Sequence, residues 1–451
     1  MMTKFVLKDY QTEAVQMLRI GLPIVIGQMG FIAMGVADMI QVGMMPDKGV
    51  VSVAAAGVSV SLFFTVAVIG LVALGVVAPM ISKAKAEGTS LEISALYRSV
   101  QRVALILGVV TFALTSIIAY FFDHFGQDPE VTVLAKPFAY IIAASVVPLF
   151  LFIAIRQLSD GFGRTRVAMF VTLSALLLNI ILNYFLINGI WIFPRLELLG
   201  SGIATFISRS YMLFALWFAV RRNPEFAPYL KQKLSKQADL SRRILKIGLP
   251  AGLQGFFEVA VFAAAVVIIG WNGKFQQAAH MIAINMCSIT YMMASGIAAA
   301  GGIRVGHFWG LRDRQLMRLS GNTALYLASG FMFLAAMLFF LLNKQLVGLY
   351  TTDPNVVPIA VELLIIGGIF QLSDGLQVTA LGILRGIADV NVPTVITLFA
   401  YWGVGLPVGY LLGFTFDMKA AGVWLGLTAG LTASAVLLNM RFYRLIRRLR
   451  F

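Results

Sequence analysis

Apolar runs of 20 or more residues recur along the whole chain, each long enough to cross a hydrocarbon core of roughly 30 Å as a helix that satisfies its own backbone hydrogen bonds. That recurrence excludes a water-soluble globular fold. Composition agrees, since only 12% of the 451 residues are charged while 59% are hydrophobic, whereas soluble domains carry about twice that charge. The alternating strands of a transmembrane barrel are not present in the pattern. An all-α integral membrane protein follows. Its first apolar run carries no small-residue cleavage site and reads as a retained helix rather than a signal peptide. The single cysteine, Cys287, has no partner for an internal disulfide and sits in an apolar run.

The expected spans are 15–42, 52–82, 99–122, 132–155, 167–188, 198–220, 244–271, 278–303, 319–342, 355–382, 392–413 and 420–440. With a cytoplasmic N-terminus, 28 of the 35 Lys and Arg residues fall on the inner side, six fall in outer loops, and Arg209 lies inside the sixth span. Such an asymmetry is the positive-inside signal, and it places both termini in the cytoplasm. The net charge of +15 is therefore read as topology, not as a nucleic-acid surface.

The chain also repeats itself. Leu-Arg-Ile-Gly-Leu-Pro at 18–23 returns as Leu-Lys-Ile-Gly-Leu-Pro at 245–250, and the Asp-Pro of 128–129 returns at 353–354, at offsets of 227 and 225 residues. Concordant offsets mark a duplication. Because each half has an even number of spans, both copies enter the membrane in the same direction, giving a parallel repeat. The expected organisation is an N-lobe over 1–221, a polar cytoplasmic linker over 222–243 and a C-lobe over 244–451. Pro23 and Pro250 occupy matched positions, either as harmless first-turn residues or as bends.

Three carboxylates interrupt the apolar runs: Asp38 in the first span, Glu258 in the seventh and Asp374 in the tenth. An acid at bilayer depth costs several kcal/mol unless it is protonated, paired or hydrated, and such acids usually face a cavity or an ion path. A desolvated carboxyl takes up a proton more readily, while its ionised form stabilises Na⁺ or an organic cation. Competition between the two for one set of carboxylates gives exchange. Glu362 lies nearer the outer end of the tenth span. Amides at Gln28, Asn179, Asn183, Gln371 and Gln377 can complete an ion's coordination, and Tyr291 can offer a ring face to a cation. The phosphate-binding loop and the zinc-protease helix motif are missing, and His124, His280 and His307 are far apart in sequence. ATP-driven transport by this chain alone and metal-dependent hydrolysis are thus disfavoured, and neither an enzyme nor a cofactor is expected.

The segments Gly35-Val-Ala-Asp38-Met, Gly255-Phe-Phe-Glu258, Gln371-Leu-Ser-Asp374-Gly-Leu-Gln377 and Gly382-Ile-Leu-Arg385-Gly386 together resemble those of the multidrug and toxic compound extrusion (MATE) transporters. So do Leu178-Asn179-Ile-Ile-Leu-Asn183-Tyr184 and Tyr401-Trp402 with Gly405-Leu-Pro407. The resemblance is to the NorM-like bacterial branch and covers essentially the whole chain. It implies a V-shaped fold of twelve helices, with two six-helix lobes around a central cavity, and export of organic cationic drugs or toxins in exchange for Na⁺ or H⁺ by alternating access. It implies that Glu258 and Asp374 form a C-lobe cation site with Tyr291 nearby, Na⁺ being preferred over H⁺. It further implies that Asp38, Asn179 and Asn183 form an N-lobe polar site and that Asp353 contacts substrate, with Gln377 among the substrate-binding side chains. Two departures stand out. Some relatives carry an acid where this chain has Asn183, and some carry a tyrosine where it has Phe370. The expected partners are the drugs, the coupling ion and membrane lipids, and the expected state is a monomer. Two rivals are a lipid-linked oligosaccharide flippase of the same superfamily, which would line its cavity with arginines, and a passive channel.

Overall fold

The computed structural model describes residues 5–46, 48–126, 128–190, 192–232 and 239–449. Residues 233–238 of the expected linker therefore lie outside the described residues. Twelve helices are long and apolar enough to span a bilayer: α1 Leu7–Gly43, α2 Gly49–Ala86, α3 Ser90–His124, α4 Pro129–Gly161, α5 Thr165–Asn188, α6 Glu197–Arg222, α7 Ser241–Gly270, α8 Lys274–Gly310, α9 Arg314–Leu341, α10 Val357–Gly386, α11 Asn391–Thr415 and α12 Lys419–Arg448. Among the described residues there is no strand. The all-α, twelve-span architecture is thus the one that hydropathy dictates, with several helices running on beyond their apolar cores. The long α1 shows why: Asp9, Glu13 and Arg19 continue its helical run on the N-terminal side of the apolar segment.

Two compact units make up the chain, one formed by Met1–Val25 with Leu253–Phe451 and the other by Ile26–Gly252. These units differ from the lobes 1–221 and 244–451, because the first part of each half groups with the other half's helices. Both changeovers fall two residues beyond the repeated prolines. Neither proline sits in a first turn, since α1 begins at Leu7 and α7 at Ser241, so Pro23 and Pro250 are interior positions. Each removes a backbone donor within a continuous helix, which is a cause of bending. The repeated glycine two residues earlier explains the grouping. A Cβ on Gly21 would lie 3.2 Å from the Gly296 carbonyl oxygen of α8, and one on Gly248 would lie 2.6 Å from the Ala73 carbonyl oxygen of α2.

In the unit that contains most of the second half, α11 and α12 touch through their backbones. Gly405, Gly409 and Gly413 on α11 meet Gly430, Gly426 and Gly422 on α12, a small-residue seam of the kind that lets membrane helices approach closely. α11 is wound as a π-helix over Phe399–Gly405 and Leu411–Thr415, a rare geometry that is frequent at functional sites. Tyr401 lies on the first of these wide turns.

Candidate functional site

The acids of the second half come together within one unit. On α7, Gln254 and Glu258 are one turn apart, and the Gln254 side-chain amide donates to a Glu258 carboxylate oxygen at 3.4 Å. The Gln254 oxygen in turn accepts from Nη2 of Arg385 on α10, at 2.8 Å. Arg385 therefore backs Glu258 through an amide bridge and interacts with it electrostatically. Asp374 lies three turns earlier on α10 and is 4% exposed. It interacts with Glu258, while the ring hydroxyls of Tyr291 and Tyr401 lie within electrostatic reach of both acids. Tyr401 is fully buried, and its neighbour Trp402 donates Nε1–H to the Phe257 carbonyl, tying α11 to α7 at this level.

Gln371 and Gln377 stand one turn either side of Asp374 and are both fully buried. Nε2 of Gln371 donates to the Thr290 hydroxyl at 2.5 Å, leaving its Oε1 without a partner, and neither polar atom of Gln377 has one. Orphaned buried amides are rare and call for an explanation. Carboxylates with neutral oxygens are the donor set of a hard cation. Among the described residues no three His, Cys, Asp or Glu side chains converge as a metal cluster, so the arrangement does not match a transition-metal centre. Phe370 packs edge-on to Phe262 and tilted against Trp424, at centroid distances of 6.2 and 5.5 Å. It supplies apolar packing where some relatives have a phenol. Trp424 donates to Nδ1 of His280 at 3.0 Å, and both side chains are fully buried.

In the other unit, Asp38 of α1 accepts from Asn183 of α5 through Nδ2–H and from the Thr205 hydroxyl of α6 at 2.9 Å. Asn179 joins through its oxygen, 3.5 Å from the Asn183 amide. Arg209, one turn beyond Thr205, is 8% exposed, donates to the Ser145 hydroxyl at 2.6 Å, and lies over the rings of Phe63 and Phe31 at 4.9 and 5.5 Å. Its guanidinium interacts electrostatically with Asp38. A Cβ on Gly35, one turn before Asp38, would meet nothing within 4 Å.

The structure thus joins Glu258, Asp374 and Tyr291 in one cluster and Asp38, Asn179 and Asn183 in another. Asp353 is placed elsewhere. Its carboxylate accepts from the Asn355 amide in its own turn, and Asp374 lies seventeen residues past the start of α10, or roughly 25 Å along the helix. Glu362 is exposed, as its place near the helix end suggested. Three side chains escaped the sequence reading. Thr205 gave no signal. Gln254 was visible only as a polar residue four before Glu258. Arg385 falls just beyond the expected end of the tenth span at 382, which leaves Arg209 as the one base inside an expected span; in the structure Arg385 lies within α10 and reaches Gln254. Side chains near a helix C-terminus lean back toward the N-terminus, which carries this one into the span.

Twelve apolar helices that enclose charged and amide side chains define a multi-pass membrane protein with polar clusters inside its spans. The profile of the MatE family matches residues 23–185 and 250–411, one block in each repeat. The chain is 32% identical over 439 residues to "Probable multidrug resistance protein NorM" of Rhizobium meliloti, covering 96% of this chain and 93% of that one. It is 34% identical to the protein of the same name from Rhodopseudomonas palustris, covering 97% and 93%. Among solved structures, a MATE protein in the bent conformation superposes with a TM-score of 0.87 at 18% identity, covering 98% of both chains. The eukaryotic MATE transporter AtDTX14 superposes with a TM-score of 0.86 at 18% identity and the same coverage. This chain belongs to the MatE family of membrane transporters.

Proposed function

We propose that the protein is a multidrug efflux transporter of the bacterial inner membrane, exchanging organic cations for Na⁺ or H⁺ by alternating access, with both termini cytoplasmic. The observation that carries this reading is the enclosure of Glu258 and Asp374 in one cluster, where Asp374 is 4% exposed and lacks a basic partner among the described residues. Isolated buried charge is costly, so a cation or a proton completes the site. The relatives named NorM, similar over nearly their whole length, support drugs as the cargo. Asp38, with its Asn183 and Thr205 donors beside the open space at Gly35, is the fitting contact for a cationic substrate.

The coupling ion acts as a second cargo. Binding at Glu258 and Asp374 favours one access state, and binding of the organic cation favours release of that ion, so the two fluxes are linked only through their differential affinity for the two states. Gln254 and Trp402 hold α7, α10 and α11 in register around the acids. The test is transport in proteoliposomes, with a Na⁺ or H⁺ gradient imposed separately and ethidium followed by fluorescence. Gradient-driven movement is expected with at least one ion and is lost in Glu258→Gln and Asp374→Asn. Movement with neither ion, or full activity in both variants, refutes the coupling.

A further inference from the structure

A cleft of about 240 Å³ opens between α3, α4 and α6, lined by Gln101, Leu151, Ile155, Leu213, Phe214 and Trp217. It lies wholly within the unit Ile26–Gly252. All of its lining side chains except Gln101 are apolar, and Phe214 and Trp217 are 65% and 41% exposed, so the cleft is open rather than enclosed. Three helices fix its level. Gln101, Ile155 and Trp217 each fall within three residues of the ends expected for their apolar runs, at 99, 155 and 220. There hydrocarbon gives way to headgroups, the level that tryptophan favours. The cleft is also smaller than the roughly 300–1,000 Å³ of a pocket for a drug-sized molecule.

Charge at the mouth of the cleft has one sign. Cζ of Arg221, one turn beyond Trp217, lies 4.9 Å from the centroid of the Trp217 ring, and the residue is exposed. Other arginines near span ends have acids of their own: Nε of Arg304 donates to Glu13 at 2.9 Å, and Nε of Arg156 donates to Asp160 at 2.9 Å. Arg221 is paired with no acid among the described residues. Arg98, one turn before Gln101, donates to the carbonyl of Gln232, which carries no charge. The neighbouring acid, Asp239, is already engaged by Arg102 at 3.2 Å and by the Ser99 and Ser241 hydroxyls. We propose that this cleft binds an anionic phospholipid, with a stretch of acyl chain against Phe214 and Trp217 and the phosphate on Arg221, Arg98 adding a second positive charge. A guanidinium fork matches a pair of phosphate oxygens in geometry as well as in sign. A zwitterionic headgroup would bring its ammonium beside two arginines with no free acid to receive it, and an organic cation would meet the same repulsion. The site is therefore separate from both acid clusters, and the proposal does not rest on the exchange reading. With the termini placed as proposed above, the lipid belongs to the inner leaflet.

Tryptophan quenching tests the site. Full-length protein is reconstituted into bilayers of phosphatidylglycerol and phosphatidylcholine in which one lipid at a time carries brominated chains. The signal of Trp217 is read as the difference between each protein and its Trp217→Phe counterpart, which keeps an aromatic ring in the cleft. Bromine quenches on contact, so the two arms give the relative affinity of the cleft for the two lipids. Phosphatidylglycerol is expected to be favoured by at least about fivefold, the worth of one basic residue near a membrane surface. Arg221→Gln is expected to lower that preference by about fivefold, while Arg221→Lys retains it. The double variant Arg447→Gln/Arg448→Gln removes two charges from the last turn of α12 and is expected to leave the preference unchanged. Equal quenching by the two lipids in the wild type, an undiminished preference in a folded Arg221→Gln, or an equal fall in the α12 double variant overturns the proposal. Quenching by neither lipid overturns it as well, because Trp217 is then covered by protein, as in an association of two copies of the chain.

Discussion

Replacing Gly426 with alanine tests whether backbone contact between α11 and α12 holds the tyrosine side of the acidic cluster in place. The added Cβ would lie 2.2 Å from the Gly409 nitrogen, 2.3 Å from its Cα and 2.7 Å from the Gly405 carbonyl oxygen, where ordinary contact begins at 3.4 Å. The obstacles are main-chain atoms, so no rotamer change relieves them, and the helices must part by about 1.2 Å at this level, the shortfall of the closest contact. Overpacking of this kind costs typically about 1–3 kcal/mol. Opening such a gap also forfeits a quarter to a half of the dispersion energy along the seam, so a loss of about 3 kcal/mol is expected. Gly330 on α9 is the control: a Cβ there meets nothing within 4 Å, and alanine should leave stability unchanged or raise it by up to about 1 kcal/mol. Thermal unfolding in detergent, followed by tryptophan fluorescence, reads both. Tyr401 rides on the displaced helix, so residual transport by Gly426→Ala should also depend more weakly on whichever ion gradient drives the wild type. If Gly426→Ala unfolds at the same temperature as Gly330→Ala, the seam is not what fixes α11.

Other perturbations separate the remaining features. Arg304→Met strands the Glu13 carboxylate, 5% exposed, and should cost about 3–5 kcal/mol, with much of that recovered in the double variant Glu13→Leu/Arg304→Met; equal losses in single and double variants would contradict the pairing. Thr205→Val removes one of the two donors that orient Asp38. A hydrogen bond to a charged group is worth about 1.5–3 kcal/mol, so ethidium affinity should fall about tenfold or more, whereas Thr323→Val, whose hydroxyl bonds only the Leu319 carbonyl, should leave it unchanged. Asp239, outside the spans, is held down to about 2 by the Ser241 hydroxyl and amide, with help from Ser99 and Arg102. Because its folded value lies below the ordinary 3.8, the stability it contributes is present above about pH 4 and lost as the pH falls toward 2. Asp239→Ala should therefore melt earlier than wild type at pH 7, and the difference should shrink steadily through that window; a constant gap would assign the effect to something other than the carboxylate.

What the sequence reveals about this protein depends on whether a residue is anomalous where it stands. Hydropathy exposes all twelve spans because lipid imposes the same demand on each of them, and Asp38, Glu258 and Asp374 are visible because an acid violates that demand locally. Partners are not visible in this way. Thr205 lies 167 residues from Asp38 and is an ordinary residue in its own helix, so nothing marks it until the fold brings the two together. Arg385 misleads for a different reason: its Cα sits one residue from the end of α10, where a loop arginine belongs, and only the backward lean of helical side chains takes its charge toward the interior of the helix. The same limit applies to the repeat. Leu-Arg-Ile-Gly-Leu-Pro and its copy announce a duplication, yet the glycines that press against Gly296 and Ala73 show that this motif also marks where each half's first helix passes from one compact unit to the other. A site composed of unusual residues can be read from a chain, but its net charge cannot, because the charges that balance it look commonplace in sequence.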